Sequence, residues 1–171
     1  MDYEVECMIE IPKGSQNKYE YDHERHVFRL DRTLFSPVHY PQDYGFIPQT
    51  LAEDGDPIDV LVILSVPTFP GCMVRARVVG ALDMTDDKGI DTKILAVSLT
   101  DPRYMRLQSL ADVPPHLLKE IEYFFHIYKD LEGKQTSSNG WRDRDWAVAA
   151  IDASRERYVA AERYGPSRSN R

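Results

Sequence analysis

The sequence predicts an α+β fold in which short strands form a small closed barrel, accompanied by two helices. Residues up to about 97 alternate apolar and polar side chains in short runs separated by turns, as strands do. The last third of the chain instead has helical character, beginning with an apolar stripe at helical spacing. Strands followed by helices are typical of α+β proteins, and short, turn-rich strands favour closure of the sheet.

The strands are predicted from alternation and from apolar runs. Val5 to Ile11 places every second side chain on one apolar face, and the uninterrupted run Ile58 to Leu64 predicts a buried strand. The predicted strands are, in chain order, 5–11, 18–22, 27–32, 58–64, 73–79 and a hairpin over 81–97 that turns at Lys88-Gly89.

Two helices are predicted after these strands. The first has Asp112 as a candidate cap and proline in its first turn, and Gly133 can end it. Its apolar stripe consists of Leu117, Ile121, Phe124 and Tyr128. A polar loop is expected over 134–140, followed by a second helix from about Asp143 to Arg163.

Composition and charge limit the class of protein. The 171 residues predict one domain over 1–165, with a polar, disordered tail at 166–171. No apolar run approaches the roughly 20 residues of a membrane span, and the N-terminus does not resemble a signal peptide. Two cysteines make no disulfide framework, so we expect a cytoplasmic protein. The net charge of −7 argues against nucleic acid as a partner.

The most informative stretch is the acidic turn Asp54-Gly55-Asp56-Pro57-Ile58-Asp59. Two carboxylates about 5 Å apart repel by roughly 3 kcal/mol at an effective dielectric of about 20, so cations such as Mg²⁺ are expected nearby. An EF-hand is excluded because its sixth position would be Asp59 and its twelfth Ser65. Taken alone, a solvated acidic turn is the simpler interpretation.

Other charged residues lie at strand edges or in stiff loops, where they could converge with this turn. Asp91 and Lys93 share a strand face, either as a structural pair or as ligands for a metal and its anion. A convergent site would combine a carboxylate cage with Lys, Arg and Tyr donors, which suits metal-assisted phosphoryl transfer to water. The chain has no P-loop, G-x-G-x-x-G or H-E-x-x-H motif.

The motifs resemble those of soluble inorganic pyrophosphatases of family I, and in detail the actinobacterial members. The matching stretches run in family order from about residue 9 to 133. They are Ile9-Glu10-Ile11-Pro12, Lys18-Tyr19-Glu20, Asp31-Arg32, Tyr40-Pro41, Tyr44-Gly45, residues 54–60, Met84-Thr85-Asp86, Asp91, Lys93 and residues 128–132.

This resemblance implies an OB-like five-stranded barrel with helices packed outside, assembled as a homohexamer. It also implies hydrolysis of pyrophosphate to two phosphates by direct attack of a metal-activated water, with several Mg²⁺ ions per site. Asp56 would be the general base. The implied metal ligands are Glu10, Glu20, Asp54, Asp59, Asp86 and Asp91; the implied substrate ligands are Lys18, Arg32, Tyr44, Lys93, Tyr128 and Lys129; Tyr40 would line the cavity.

Two alternatives remain open from the sequence. The same cage could hydrolyse a larger phosphoanhydride, such as a nucleoside triphosphate or polyphosphate. A non-catalytic OB-type binding module is disfavoured by the acidic charge. The chain departs from the expected family pattern at 133–139, at 98–100 and at Lys88, and these departures concern subunit contacts and metal preference.

Overall fold

A computed structural model describes residues 2–164 of the chain, so the predicted tail at 166–171 lies outside the described residues. The strands are β1 Glu4–Ile11, β2 Asn17–Asp22, β3 Val27–Thr33, β4 Asp43–Phe46, β5 Asp59–Ile63, β6 Met73–Asp86, β7 Gly89–Ile90, β8 Lys93–Ser98 and β9 Ser137–Arg142. The helices are α1 Pro115–Ile127 and α2 Arg144–Tyr164, with short 3₁₀ turns at Leu110–Asp112 and Asp130–Glu132.

Five strands close into a ring, which confirms the predicted α+β fold with a small barrel. β1 pairs with both β4 and β6, and the circuit is completed by the pairs β4–β5, β5–β8 and β8–β6. The β5–β8 pair is parallel, and the others in the ring are antiparallel. The 14-residue strand β6 also pairs with β7 and β9, while β2 and β3 form a separate hairpin.

Each helix packs against its own part of the core. Ala147 and Ile151 of α2 join the apolar residues of β1, β5 and β6. Ile121 and Phe125 of α1 join a second cluster that is rich in aromatic rings. Among residues 2–164, no helix has the length and apolar character that crossing a membrane requires.

Gly45 shows how tightly the barrel closes. A Cβ atom at this position would lie 1.9 Å from the carbonyl oxygen of Met8 on the neighbouring strand β1. A contact that short is impossible, so only glycine lets β4 approach β1. The aromatic side chain of Tyr44 is held at the barrel wall by this close pairing.

Three local expectations need correction. The first helix ends at Ile127, because Asp130–Glu132 forms a separate 3₁₀ turn before Gly133, which has φ of 72°. Asp112 does not cap the first helix. Its carboxylate accepts hydrogen bonds from the Gln108 and Ser109 amides, and so caps the start of the 3₁₀ turn Leu110–Asp112. The expected polar loop at 134–140 contains most of β9, because pairing with β6 satisfies its backbone despite its polar side chains.

Candidate active site

One cavity of about 160 Å³, lined in part by β2 of the hairpin, collects most of the predicted site residues. Twelve of the fourteen residues named from the sequence line it. They are Glu10, Lys18, Glu20, Tyr44, Asp54, Asp56, Asp59, Asp86, Asp91, Lys93, Tyr128 and Lys129. Residues more than 100 positions apart in the sequence therefore share one small, strongly charged space.

The acidic turn is shaped by its own backbone. Gly55 has φ of 92°, a left-handed conformation that favours glycine. The Ala52 amide donates to the carbonyl oxygen of Asp56 at 2.7 Å, and the Asp56 amide donates to Oδ1 of Asp54 at 3.0 Å. Partial burial raises the pKa of Asp54. The turn thus holds two carboxylates at the cavity, while the third, Asp59, begins β5.

Lys93 is a buried cation that contacts two of the cavity carboxylates. Its Nζ is 2.8 Å from Oδ2 of Asp59, 2.9 Å from Oδ1 of Asp91 and 2.8 Å from the hydroxyl oxygen of Tyr44. Parallel pairing of β5 with β8 sets Asp59 directly beside Lys93. Burial lowers the pKa of Lys93, but the adjacent Asp59 carboxylate and its neighbours raise it well above its ordinary value. Lys93 is therefore a permanent cation.

Lys129 and Asp86 form a second cation–carboxylate pair in the cavity lining. Nζ of Lys129 is 3.3 Å from Oδ2 of Asp86, and it also lies 5.4 Å from the ring centre of Tyr128. Burial raises the pKa of Tyr128, so its hydroxyl remains a hydrogen-bond donor at neutral pH. Both donors come from the segment directly after α1, which the aromatic core fixes in place.

Glu10 is a carboxylate held deep in the wall. Burial raises its pKa to about 7, even though its Oε2 accepts a hydrogen bond from the Tyr21 amide at 2.7 Å. That hydrogen bond joins β1 to the β2–β3 hairpin. A buried carboxylate beside Asp59 and Glu20 is costly to ionise without a nearby cation.

Two predicted residues lie outside the cavity lining. Tyr40 is 1% exposed and packs its ring between Tyr44 and Phe124, so it supports the wall from behind and does not line the cavity as expected. Arg32 instead forms ion pairs with Asp31 and Glu132. The aromatic core fixes the position of Tyr40, and the ion pair with Glu132, distant in the sequence, fixes that of Arg32.

His23 and Lys88 line the cavity, although the sequence analysis assigned them no role there. The sequence could have placed Lys88 near the cavity, because it follows the predicted metal ligand Asp86 by two residues. In the structure the Lys88 amide donates to Oδ1 of Asp86 at 2.8 Å. His23 carried no comparable signal. Its ring contacts those of Tyr21 and Phe46, with centroid distances of 4.9 and 5.2 Å.

The donor set fits hard divalent cations, because the anionic side chains at the cavity are carboxylates and oxygen is the donor that Mg²⁺ prefers. Within residues 2–164, no three carboxylate, imidazole or thiol groups are gathered closely enough to form a ready-made metal site. Lys93 pairs with Asp59 and Asp91, and Lys129 pairs with Asp86. The individual ligand assignments therefore stay predictions.

A small cavity lined by both carboxylates and Lys and Tyr donors fits the class of metal-dependent enzymes that act on phosphate compounds. The comparisons with known proteins make this specific. A family profile described as "Inorganic pyrophosphatase" matches residues 7–159. The chain belongs to the inorganic pyrophosphatase family, and it is an inorganic diphosphatase.

Individual relatives agree with the family profile. The inorganic pyrophosphatase of Halalkalibacterium halodurans is 56% identical over 90% of this chain and 94% of that protein. The Corynebacterium efficiens protein is 54% identical over 91% of this chain and 99% of that protein. The crystal structure of the Thermus thermophilus enzyme aligns with a TM-score of 0.88 at 47% identity, covering 91% of each chain.

Proposed function

We propose that the cavity hydrolyses pyrophosphate with Mg²⁺, with several ions per active site, and with Asp56 as general base. The observation that carries this proposal is that one small cavity is lined both by carboxylates and by Lys and Tyr donors, with Lys93 and Lys129 paired to carboxylates. When bound, Mg²⁺ would lower the pKa of the attacking water and neutralise charge on the phosphates. We further propose that residues 1–165 act as one domain.

The carboxylates of the cavity would hold the Mg²⁺ ions and accept the proton of the attacking water. Asp54 and Asp59, together with Asp91, would be ligands near the water, Asp86 would act on the substrate side, and Glu20 and Glu10 would complete the set. Asp56 is exposed in the acidic turn, where it is accessible to the water. It would accept the water proton as oxygen attacks phosphorus and the bridging P–O bond breaks, giving two phosphates.

The Lys and Tyr donors of the cavity would bind the two phosphate groups of pyrophosphate. Lys93, Tyr44, Tyr128 and Lys129 present donors from rigid surroundings, and Lys18 faces them from the hairpin. Donors of this kind stabilise the negative charge that gathers on the leaving phosphate. Arg32 would contribute from β3 of the hairpin, where it lies opposite Lys18.

The size of the cavity supports a small anion as substrate. Its volume of about 160 Å³ is below the 300–1,000 Å³ typical of pockets for drug-sized ligands. A nucleoside triphosphate would have to place most of its base and ribose outside the cavity. The same argument disfavours the larger phosphoanhydrides that the sequence left open.

Cytoplasmic location and a homohexamer are also part of the proposal. The hexamer comes from the family resemblance, and an apolar groove of about 700 Å³ along α1, which includes the exposed Tyr123, offers a surface for a subunit contact. Molar mass from light scattering at several protein concentrations tests the assembly. A monomer at micromolar concentration would contradict it.

The decisive experiment is phosphate release from pyrophosphate, ATP and tripolyphosphate in parallel, each with excess Mg²⁺ and with EDTA. We expect fast, Mg²⁺-dependent release from pyrophosphate and little from the larger substrates. A preference for ATP or tripolyphosphate would show that the substrate of this site is a larger phosphoanhydride. Undiminished activity in EDTA would remove the metal from the proposal.

A further inference from the structure

Glu132 belongs to none of the predicted ligand sets, yet it contacts one of the predicted substrate ligands. It ends the 3₁₀ turn that follows Lys129, and its side chain is 7% exposed. Its Oε1 lies 2.8 Å from Nε of Arg32 on β3. This contact connects the segment after α1 to the β2–β3 hairpin, which carries another part of the cavity wall.

Asp31 extends the contact towards the cavity. Its Oδ2 lies 2.6 Å from Nη1 of Arg32 and 3.3 Å from Nζ of Lys18, which lines the cavity. The charges therefore alternate along four side chains. In order they are Glu132, Arg32, Asp31 and Lys18.

The geometry of the Glu132–Arg32 pair is poor for an interaction that serves stability alone. Among residues 2–164, the buried Oε2 of Glu132 has no hydrogen-bond partner, and Nε–H of Arg32 is not aligned with the carboxylate. A buried oxygen left without a partner costs roughly 1–3 kcal/mol. Replacing a buried ion pair by apolar residues is often neutral or stabilising. A positional role explains the pair better than a stabilising one.

The two carboxylates together constrain the guanidinium of Arg32. Glu132 contacts Nε and Asp31 contacts Nη1, and among residues 2–164 Nη2 of Arg32 forms no hydrogen bond. Burial lowers the pKa of Arg32, but the Glu132 and Asp31 carboxylates together outweigh this effect and raise it. A guanidinium with a fixed plane is well suited to one phosphate oxygen.

We propose that Glu132 is a positioning residue for pyrophosphate binding, which acts by holding Arg32 so that its Nη2 is directed to a phosphate oxygen. This inference rests on the proposed function and adds a residue that does not itself touch substrate. Glu132, in the turn after α1, would fix the orientation of the Arg32 side chain on β3.

The test compares Glu132→Gln with wild type by steady-state kinetics on Mg²⁺-pyrophosphate. We expect KM to rise roughly tenfold, equivalent to about 1.4 kcal/mol of binding, with a much smaller change in kcat. Glu132→Asp, which keeps the charge, should restore part of the loss. Glu156→Gln is the matched control, because it is the same substitution at an exposed position of α2 away from the cavity.

A double-mutant cycle separates positioning from a general structural effect. If Glu132 acts through Arg32, adding Glu132→Gln to Arg32→Gln should raise KM no further. Additive effects, or an unchanged KM with reduced stability in urea, would overturn the inference. Should Glu132→Gln fail to fold, Glu132→Met decides, because it also removes the carboxylate at similar side-chain length, and an unchanged KM there would overturn the inference. Wild-type protein inactive on pyrophosphate would instead refute the proposed function.

Discussion

Replacing Lys93 with Met tests whether bound cations can neutralise Asp59 and Asp91 when the lysine charge is removed. Nζ of Lys93 is within 2.9 Å of both Asp59 and Asp91, and the side chain is 3% exposed. Met has similar length and no charge, so the two carboxylates lose their cation while the packing is largely kept. In EDTA we therefore expect a marked loss of stability.

The contacts set the size of this loss. Removing one partner of a buried ion pair costs about 3–5 kcal/mol. The side chain of Asp59 is 28% exposed and keeps part of its hydration, so the lower end, about 3 kcal/mol, applies. For a chain of this size that corresponds to a fall in Tm of roughly 6–12 °C. Mg²⁺ at 100 times its Kd would return about 2.7 kcal/mol by binding the folded state.

The assay is urea and thermal unfolding of both proteins at one protein concentration, in EDTA and in excess MgCl₂. Lys88→Met is the matched control, because Lys88 is exposed at the same cavity and has no ion pair within residues 2–164; its stability should equal that of wild type. The reasoning is refuted if Mg²⁺ stabilises Lys93→Met no more than it stabilises wild type, since removal of the lysine would then not have increased the affinity of Asp59 and Asp91 for cations.

Three further predictions concern other parts of the molecule. Asp56→Asn should lower kcat by roughly 10²–10⁴-fold with the fold intact, because an amide cannot accept the water proton; near wild-type kcat would remove Asp56 from the base role. Lys129→Ala should lower kcat/KM for pyrophosphate by at least tenfold, since one phosphate donor is lost; an unchanged value would leave Lys129 only as the ion-pair partner of Asp86. Gly45→Ala should cost more than about 3 kcal/mol in urea unfolding, because its Cβ would overlap the Met8 carbonyl oxygen; wild-type stability would mean that β4 and β1 separate readily.

Local sequence patterns were sufficient for much of the barrel. Alternation in residues 5–11 and the apolar run 58–64 correctly predicted β1 and β5, because side-chain direction in a strand has a period of two. The pattern failed for β9, whose sequence Ser-Ser-Asn-Gly-Trp-Arg reads as a loop. That strand forms because β6 provides a pairing edge, and a partner 50 residues away leaves no local signal.

The ordered motifs by themselves predicted the chemical class, and twelve of the fourteen residues that they named line one cavity. The acidic turn carries its own geometry through Gly55, and the residue types name the donors. Only the tertiary structure decided which charges meet. Lys93 joins Asp59 through the parallel register of β5 and β8, Arg32 meets Glu132 across about 100 residues, and Tyr40 is buried behind the wall. These outcomes depend on strand register and on barrel closure, which bring distant side chains together and are invisible to short-range periodicity.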